Sequence, residues 1–263
     1  SWRTDSTRCR PPRMRRTFVS FCVKRSSPSG RMAAAQQHDV VRLPIFTTFS
    51  TSDAAVRANI SAALAEFSFV VLRTRSEALQ ASIAAATSEW SSFFARGGGD
   101  ALTKLGCSDA RHQWHSNAHT ITAAARAAGA TPQLAAATEV LSRELAELAS
   151  ALCQALGVRV SDDSRSVFDV WRYFGTARRG AITCGDHVDP GIFTVEPCAG
   201  CAPGLQIFHL PSGTWLDVEG LLEVTSDIIF FAAAQLAERR PAIAAARHRV
   251  ASCAAPRLSL AYE

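Results

Sequence analysis

The chain has 263 residues, almost half of them apolar, so it can bury a sizeable core as one large domain or two modest ones. Its best apolar run, residues 228–234, is far too short to cross a bilayer, so we expect no contact with a membrane. The net charge of +5 comes from residues 1–31, which carry nine Lys or Arg and one Asp, leaving 19 basic and 22 acidic residues in 32–263. A mildly acidic body argues against a nucleic-acid partner.

The basic segment 1–31 is rich in Arg, Ser and Pro, the composition of an organellar transit peptide. A second interpretation is upstream sequence that is not native, because Met32 and the three alanines after it resemble a true start. In both cases we expect the segment to be disordered. The expected location is the cytoplasm, or a mitochondrion or plastid if the segment is a transit peptide.

Residues 40–157 are expected to form a helical N-terminal region that packs on a second region. The pattern predicts a strand at 41–46, a helix capped by Asp53, a strand at 67–72 and a helix from about Glu77. Thr131 and Pro132 then begin a long helix with a stripe of leucines, which Gly157 ends.

Two groups of histidines or cysteines could suggest a metal site, but for both groups the sequence favours a loop. His112, His115 and His119 lie in a polar segment, which favours a solvated loop rather than a second metal site. Such a loop could act as a lid beside the active site. Cys198 and Cys201 form a Cys-x-x-Cys with no second pair to complete a zinc site, so a loop is favoured. The eight cysteines are scattered and are expected to be reduced thiols.

Residues 158–263 change to the short-strand pattern of a jelly-roll barrel. Strands are predicted near 167–174, 181–188, 192–196, 204–209, 214–218, 227–232, 246–251 and 256–262. This region is the expected catalytic core, and the piece at 236–246 is expected to be a helical turn or loop.

A candidate metal centre lies in these strands. His187 and Asp189 are two residues apart, so on an extended strand their side chains leave from the same face. A second histidine on a neighbouring strand, His248, would complete the two-His-one-carboxylate face that binds non-haem iron(II). The alternative interpretation of His187 and Asp189 is a polar strand end without metal.

The order His-x-Asp, His, Arg-x-Ser resembles the iron(II)- and 2-oxoglutarate-dependent dioxygenases, specifically the isopenicillin N synthase-like family. The likeness extends to residues 204–207 and 213–218, which resemble the family's hairpin after the first metal ligands, and to 248–250 and 257–262, which resemble its closing strands.

The resemblance implies an α+β fold with a double-stranded β-helix (jelly-roll, cupin-like) core and flanking helices. It implies Fe(2+) bound by His187, Asp189 and His248, and 2-oxoglutarate whose distal carboxylate is gripped by Arg257 and Ser259. A forked guanidinium suits that carboxylate better than lysine would. Tyr173 is expected to give its hydroxyl to the cosubstrate, although alignment by the following glycine would place Phe174 there.

The implied reaction oxidises a C–H bond of a small molecule with dioxygen, by hydroxylation, desaturation or ring closure, while 2-oxoglutarate is converted to succinate and carbon dioxide. Two alternatives stay open: an iron(II) oxidase of the same fold without 2-oxoglutarate, and a catalytically idle barrel that binds a ligand or a partner protein. The protein is expected to be a monomer.

Overall fold

The computed structural model describes residues 20–22, 40–47, 53–98, 111–160, 165–175, 181–200, 202–252 and 254–263. The helices are α1 (Ala54–Phe67), α2 (Glu77–Ala95), α3 (Ile121–Ala127), α4 (Pro132–Ala155) and α5 (Ala234–Arg239). The strands outside the barrel are β1 (Ser20–Cys22), β2 (Val40–Arg42), β3 (Ile45–Phe46), β4 (Phe69–Arg73) and β5 (Arg111–Asn117). The barrel strands are β6 (Val167–Tyr173), β7 (Ile182–His187), β8 (Phe193–Pro197), β9 (Leu205–His209), β10 (Thr214–Asp217), β11 (Asp227–Ala232), β12 (His248–Ala251) and β13 (Arg257–Tyr262).

Strands β6 to β13 form the two sheets of the barrel. One sheet has the order β10-β9-β12-β7, and the other contains β11-β8-β13-β6 at its centre. All eight predicted barrel strands are present, with ends within two residues of the prediction. This confirms the predicted double-stranded β-helix with flanking helices.

The N-terminal region extends the larger sheet as well as packing on it. Strands β3 and β4 join the sheet beside β11, and β5 joins the opposite edge beside β6. The sheet therefore contains strands from both sides of residue 157, and the division into regions 40–157 and 158–263 stays a prediction.

The predicted helix starts are present with their caps. The Asp53 carboxylate accepts the backbone N–H groups of Ala55 and Val56 at 2.9 and 3.2 Å, and the Thr131 hydroxyl accepts the N–H of Leu134 at 3.1 Å. Each cap satisfies donors that the first helical turn leaves unpaired. Helix α5 occupies part of the stretch where a helical turn or loop was expected.

The core lies on both sides of the larger sheet because side chains alternate along each strand. On β11, Ile228 and Phe230 pack towards the helices, whereas Ile229 and Phe231 pack between the two sheets. Trp90 of α2 is fully buried on the helical side, and its indole N–H donates to the Thr138 hydroxyl of α4 at 3.0 Å.

The interpretation of the histidine segment as a solvated loop was wrong. Residues 111–117 form the edge strand β5, paired with β6 along its whole length. His112 is buried, and His115 contacts the Asp169 carboxylate through Nδ1 at 2.8 Å. The alternating burial of the strand, with Trp114 and Ser116 also inside, was hidden because polar residues, His112 and Ser116, occupy two of its three inner positions.

Several predictions fall on other parts of the chain. Of the segment 1–31, only Ser20–Cys22 is described, and it pairs with Val40–Arg42, whereas disorder was expected. The remainder of that segment and Cys201 lie outside the described residues.

Cys153, Cys184 and Cys198 are free and buried, in agreement with reduced thiols. None of the described helices combines the length and apolar character that a bilayer crossing requires.

Candidate metal centre

The pairing of β7 with β12 brings the two predicted histidine ligands together. His187 is the last residue of β7, His248 is the first of β12, and the two are direct partners across the ladder. Their rings lie 4.1 Å apart between centroids. Asp189 follows β7 by two residues and lies against both. Within the described ranges, these three residues form the group of His, Cys, Asp or Glu side chains that could hold a metal ion.

Backbone carbonyls orient both imidazole rings. The Nδ1–H of His187 donates to the carbonyl oxygen of Gly185 at 2.7 Å, and that of His248 donates to the carbonyl of Ala246 at 3.1 Å. With the proton fixed on Nδ1, each Nε2 keeps its lone pair for a metal.

The carboxylate of Asp189 lies between these two nitrogens. Its Oδ1 is 3.6 Å from Nε2 of His187, and its Oδ2 is 3.6 Å from Nε2 of His248. Donors about 2.0–2.2 Å from one ion can be up to about 4.2 Å apart, so these separations suit a shared ion. The Thr194 hydroxyl donates to Oδ2 at 2.5 Å and fixes the carboxylate.

The group formed by His187, Asp189 and His248 is buried on one side and exposed on the other. The side chains of His248 and Asp189 are 7% and 12% exposed, and the ring of Phe231 lies 4.8 Å from that of His248. The side chain of His187 is 41% exposed. All three line a cavity of about 370 Å³ inside the barrel, a size suited to a small molecule.

The two histidines have opposite pKa shifts. Burial lowers the pKa of His248, which favours the neutral ring that a metal requires. The pKa of His187 is raised to about 9, first by its hydrogen bond with the Cys184 thiol and further by the carbonyl of Gly185. A metal would therefore have to displace a proton from His187 at neutral pH.

Arg257, predicted to bind the cosubstrate, is buried beneath the same cavity and already paired with carboxylates of the chain. Its Nη2 donates to Glu196 at 2.5 Å, and its Nε donates to Glu219 at 2.7 Å. The arginine side chain is 3% exposed and each glutamate 8% exposed. Within the described part of the chain, the remaining nitrogen, Nη1, has no hydrogen-bond partner.

Ser259 and Tyr173 lie beside Arg257. Alternation along β13 turns Arg257, Ser259 and Ala261 towards the cavity, while the residues between them pack against the helices. The Ser259 hydroxyl donates to Glu196 at 2.7 Å. The guanidinium of Arg257 lies 5.2 Å from the centroid of the Tyr173 ring, and burial raises the pKa of the tyrosine. The three predicted cosubstrate residues therefore share one cavity, and their role there stays a prediction.

Sequence reasoning missed Thr194, Glu196 and Arg111, which line this cavity, and Glu219, which pairs with Arg257. The first two occupy the inner positions of β8 between buried apolar residues. An acid at an inner position of such a strand signals a buried partner, because an unpaired carboxylate there would be costly. Arg111 on β5 stacks its guanidinium 4.5 Å above the Trp171 ring, a contact that no local pattern indicates.

No protein-family model and no curated protein matches the chain significantly. Solved structures do match. The chain is similar to a rice dioxygenase for auxin oxidation, with 16% identity and a TM-score of 0.65 over 84% of this chain and 82% of the other. It is also similar to dioxygenase for auxin oxidation 1 from Arabidopsis thaliana in complex with 2-oxoglutarate, with 16% identity and a TM-score of 0.63 over 84% and 91%.

A further match is JOX2 in complex with 2-oxoglutarate, iron and JA, with 19% identity and a TM-score of 0.65 over 84% of this chain and 73% of the other. The chain has the fold of the iron(II)/2-oxoglutarate oxygenases. The TM-scores establish the oxygenase fold. Because the identities are only 16–19%, the activity has to be argued from the site.

The residues present in this oxygenase fold suit a metal and suit the expected cosubstrate less well. His187, Asp189 and His248 offer two nitrogens and a carboxylate, the donor set of iron(II) oxygenases. At the other end of the cavity, the guanidinium expected to bind a carboxylate is engaged by Glu196 and Glu219.

Proposed function

We propose that the protein is a non-haem iron(II) oxygenase that oxidises a C–H bond of a small molecule with dioxygen. A 2-oxo acid acts as cosubstrate, of which 2-oxoglutarate is the one bound in the similar structures of the Arabidopsis enzyme and JOX2. The observation that carries the proposal is the convergence of His187, Asp189 and His248 at the wall of a cavity of about 370 Å³.

Each residue of the centre has a role in this proposal. His187, His248 and Asp189 would hold the iron at the wall of the cavity. When bound, the iron supplies the activation of dioxygen, which no side chain can perform. Thr194 positions Asp189 through its hydrogen bond, and the carbonyls of Gly185 and Ala246 hold the rings at the required angle.

One part of the cavity wall suits a small substrate with an aromatic or apolar portion. Trp171, Phe231, Leu205 and Val250 supply apolar surface there. Polar and charged side chains, Arg111 among them, make up most of the remaining lining, and such groups fix a ligand's orientation. We infer a small-molecule substrate, and we expect a monomer in the cytoplasm unless residues 1–31 direct it to an organelle.

The test is a screen of small metabolites with the iron(II)-loaded protein. We expect an oxygen-dependent change in mass for at least one metabolite, and no change with His248→Ala under identical conditions. Running each reaction with and without 2-oxoglutarate separates an oxygenase that needs this cosubstrate from an oxidase of the same fold that does not. A parent protein that binds iron no better than His248→Ala would contradict the proposal.

One observation favours a second candidate, an iron(II) oxidase of the same fold that uses no 2-oxoglutarate. The pairing of Arg257 with two carboxylates reduces its capacity to bind a third. This candidate predicts oxygen-dependent conversion of a substrate without release of succinate. An idle ligand-binding barrel need hold no iron, whereas both oxidases require it, so a protein without iron would favour the idle barrel.

A further inference from the structure

The feature that carries a further inference is the cluster of Glu196, Arg257, Glu219 and Ser259 at the inner end of the cavity. A single carboxylate oxygen of Glu196, Oε1, accepts hydrogen bonds from both Arg257 Nη2 and the Ser259 hydroxyl. These two donors are the ones expected to bind the distal carboxylate of 2-oxoglutarate. The carboxyl group of Glu196 therefore already occupies the two donors that were expected to bind a ligand carboxylate.

Glu219 is fixed more firmly than Glu196. Its Oε2 accepts the N–H groups of Gly204 and Leu205 at 2.9 and 3.1 Å, in addition to Arg257 Nε at 2.7 Å. These bonds tie Glu219 to the start of β9, where it balances the charge of the arginine. Glu196, in contrast, lines the cavity together with Arg257 and Ser259. Glu219 thus serves as a permanent counter-ion, and Glu196 is the carboxylate that meets a ligand.

We propose that Glu196 determines the cosubstrate, so that the site accepts a 2-oxo acid with an uncharged tail at least as well as 2-oxoglutarate. This inference rests on the proposed iron(II) oxygenase function. The reason is electrostatic and steric. Two carboxyl groups already share one guanidinium, so the charge of Arg257 is neutralised before any ligand enters. A third carboxylate would meet repulsion from an ionised Glu196 in a dry pocket and find one unpaired donor, Nη1, which is itself buried.

The low solvent exposure of the cluster strengthens this argument. Water would screen the repulsion at a surface, but the three charged side chains are 3–8% exposed. A methyl group at the end of the tail meets no such repulsion. It would contact the hydrocarbon parts of Leu205, Val250 and Ala261, which line the same cavity.

The test compares two five-carbon probes that differ only at the far end, 2-oxoglutarate and 2-oxopentanoate. Each is titrated anaerobically into the iron(II)-loaded full chain. For the parent, we expect 2-oxopentanoate to bind at least as tightly as 2-oxoglutarate. For Glu196→Gln, which removes the charge and keeps the shape, we expect the preference for 2-oxoglutarate to rise at least tenfold, equivalent to about 1.4 kcal/mol.

Glu223→Gln is the matched control, because it makes the same substitution at an exposed acid that pairs with Arg73, away from the cavity. Its preference should equal that of the parent. A parent that prefers 2-oxoglutarate tenfold or more overturns the inference, without reliance on any variant. Binding of neither probe by the parent or by Glu196→Gln also overturns it. Failure of the proposed function gives a different result, since the parent would then not retain iron at all.

Discussion

Replacing Arg257 by alanine should destabilise the fold, and this effect can be separated from any effect on ligand binding. In the structure, the arginine is the cation of a buried cluster, with its Nε and Nη2 bonded to two glutamates that are each 8% exposed. Arg257→Ala would leave Glu196 and Glu219 together in the interior with no cation. Two like charges without water are less stable than the intact cluster.

Removal of one partner of a buried ion pair typically costs about 3–5 kcal/mol, mostly because the other charge is left uncompensated. In a domain of this size, 1 kcal/mol shifts Tm by about 2–4 °C, so Tm should fall by about 6–20 °C. The hydrogen bonds from Gly204 and Leu205 to Glu219 remain and hold the total near the lower end. Arg126→Ala, at an exposed arginine of α3, should stay within about 0.5 kcal/mol.

The pH dependence identifies the cause. Burial raises the pKa of Glu196, whereas Arg257 lowers it, so loss of the arginine raises it further. A carboxyl group whose folded pKa lies above its unfolded value of 4.5 takes up a proton on folding, and its contribution to stability is lost as pH rises through the folded pKa. The destabilisation by Arg257→Ala should therefore be smaller at pH 5 than at pH 8, as measured by urea unfolding. A deficit equal at both pH values would indicate lost packing and refute the electrostatic argument.

Three further predictions concern the metal centre and the first residues of the chain. His187→Ala, Asp189→Ala and His248→Ala should each abolish tight iron(II) binding in anaerobic titrations and leave Tm nearly unchanged; iron binding equal to the parent would disprove the assignment. Thr194→Val, which removes the hydroxyl that holds Asp189, should weaken iron binding about 10–100-fold. Thr122→Val, which removes a hydroxyl bonded to Glu139 instead, is the control, and unchanged affinity of Thr194→Val is the contrary result. A chain beginning at Met32 should melt at the parent's temperature and bind iron equally well, and a markedly lower Tm would disprove this.

Much of the barrel could be predicted from the sequence because its strands carry strong local signals. Runs such as residues 227–232, with β-branched and aromatic side chains, indicate strands by themselves, and Asp53 and Thr131 mark helix starts by their chemistry. His187, Asp189 and His248 were grouped by the order of the motifs together with the family resemblance, and the pairing of β7 with β12 brings them to one place.

The features that the sequence did not predict depend on contacts between distant segments of the chain. Strand β5 has no apolar alternation of its own and is ordered by β6, where Asp169 accepts hydrogen bonds from Gln113 and His115. The counter-ions of Arg257 come from β8 and from the turn after β10, at 61 and 38 residues' separation. A sequence shows that a buried arginine needs partners, but it does not show which acids fold against it.

The two ends of the cavity offer a ligand different partners, and this decides which part of a 2-oxo acid each end can recognise. With a divalent ion bound, the centre formed by His187, Asp189 and His248 would attract an anionic group. At the other end, the guanidinium of Arg257 is already neutralised by Glu196 and Glu219. Every 2-oxo acid carries the carboxylate next to its keto group, so the metal end attracts all of them alike. Discrimination must then occur at the tail, where an anionic group meets Glu196 and an uncharged group does not. The residue that would most change the choice of cosubstrate is accordingly Glu196, whereas Arg257 supplies the charge that makes a buried Glu196 tolerable.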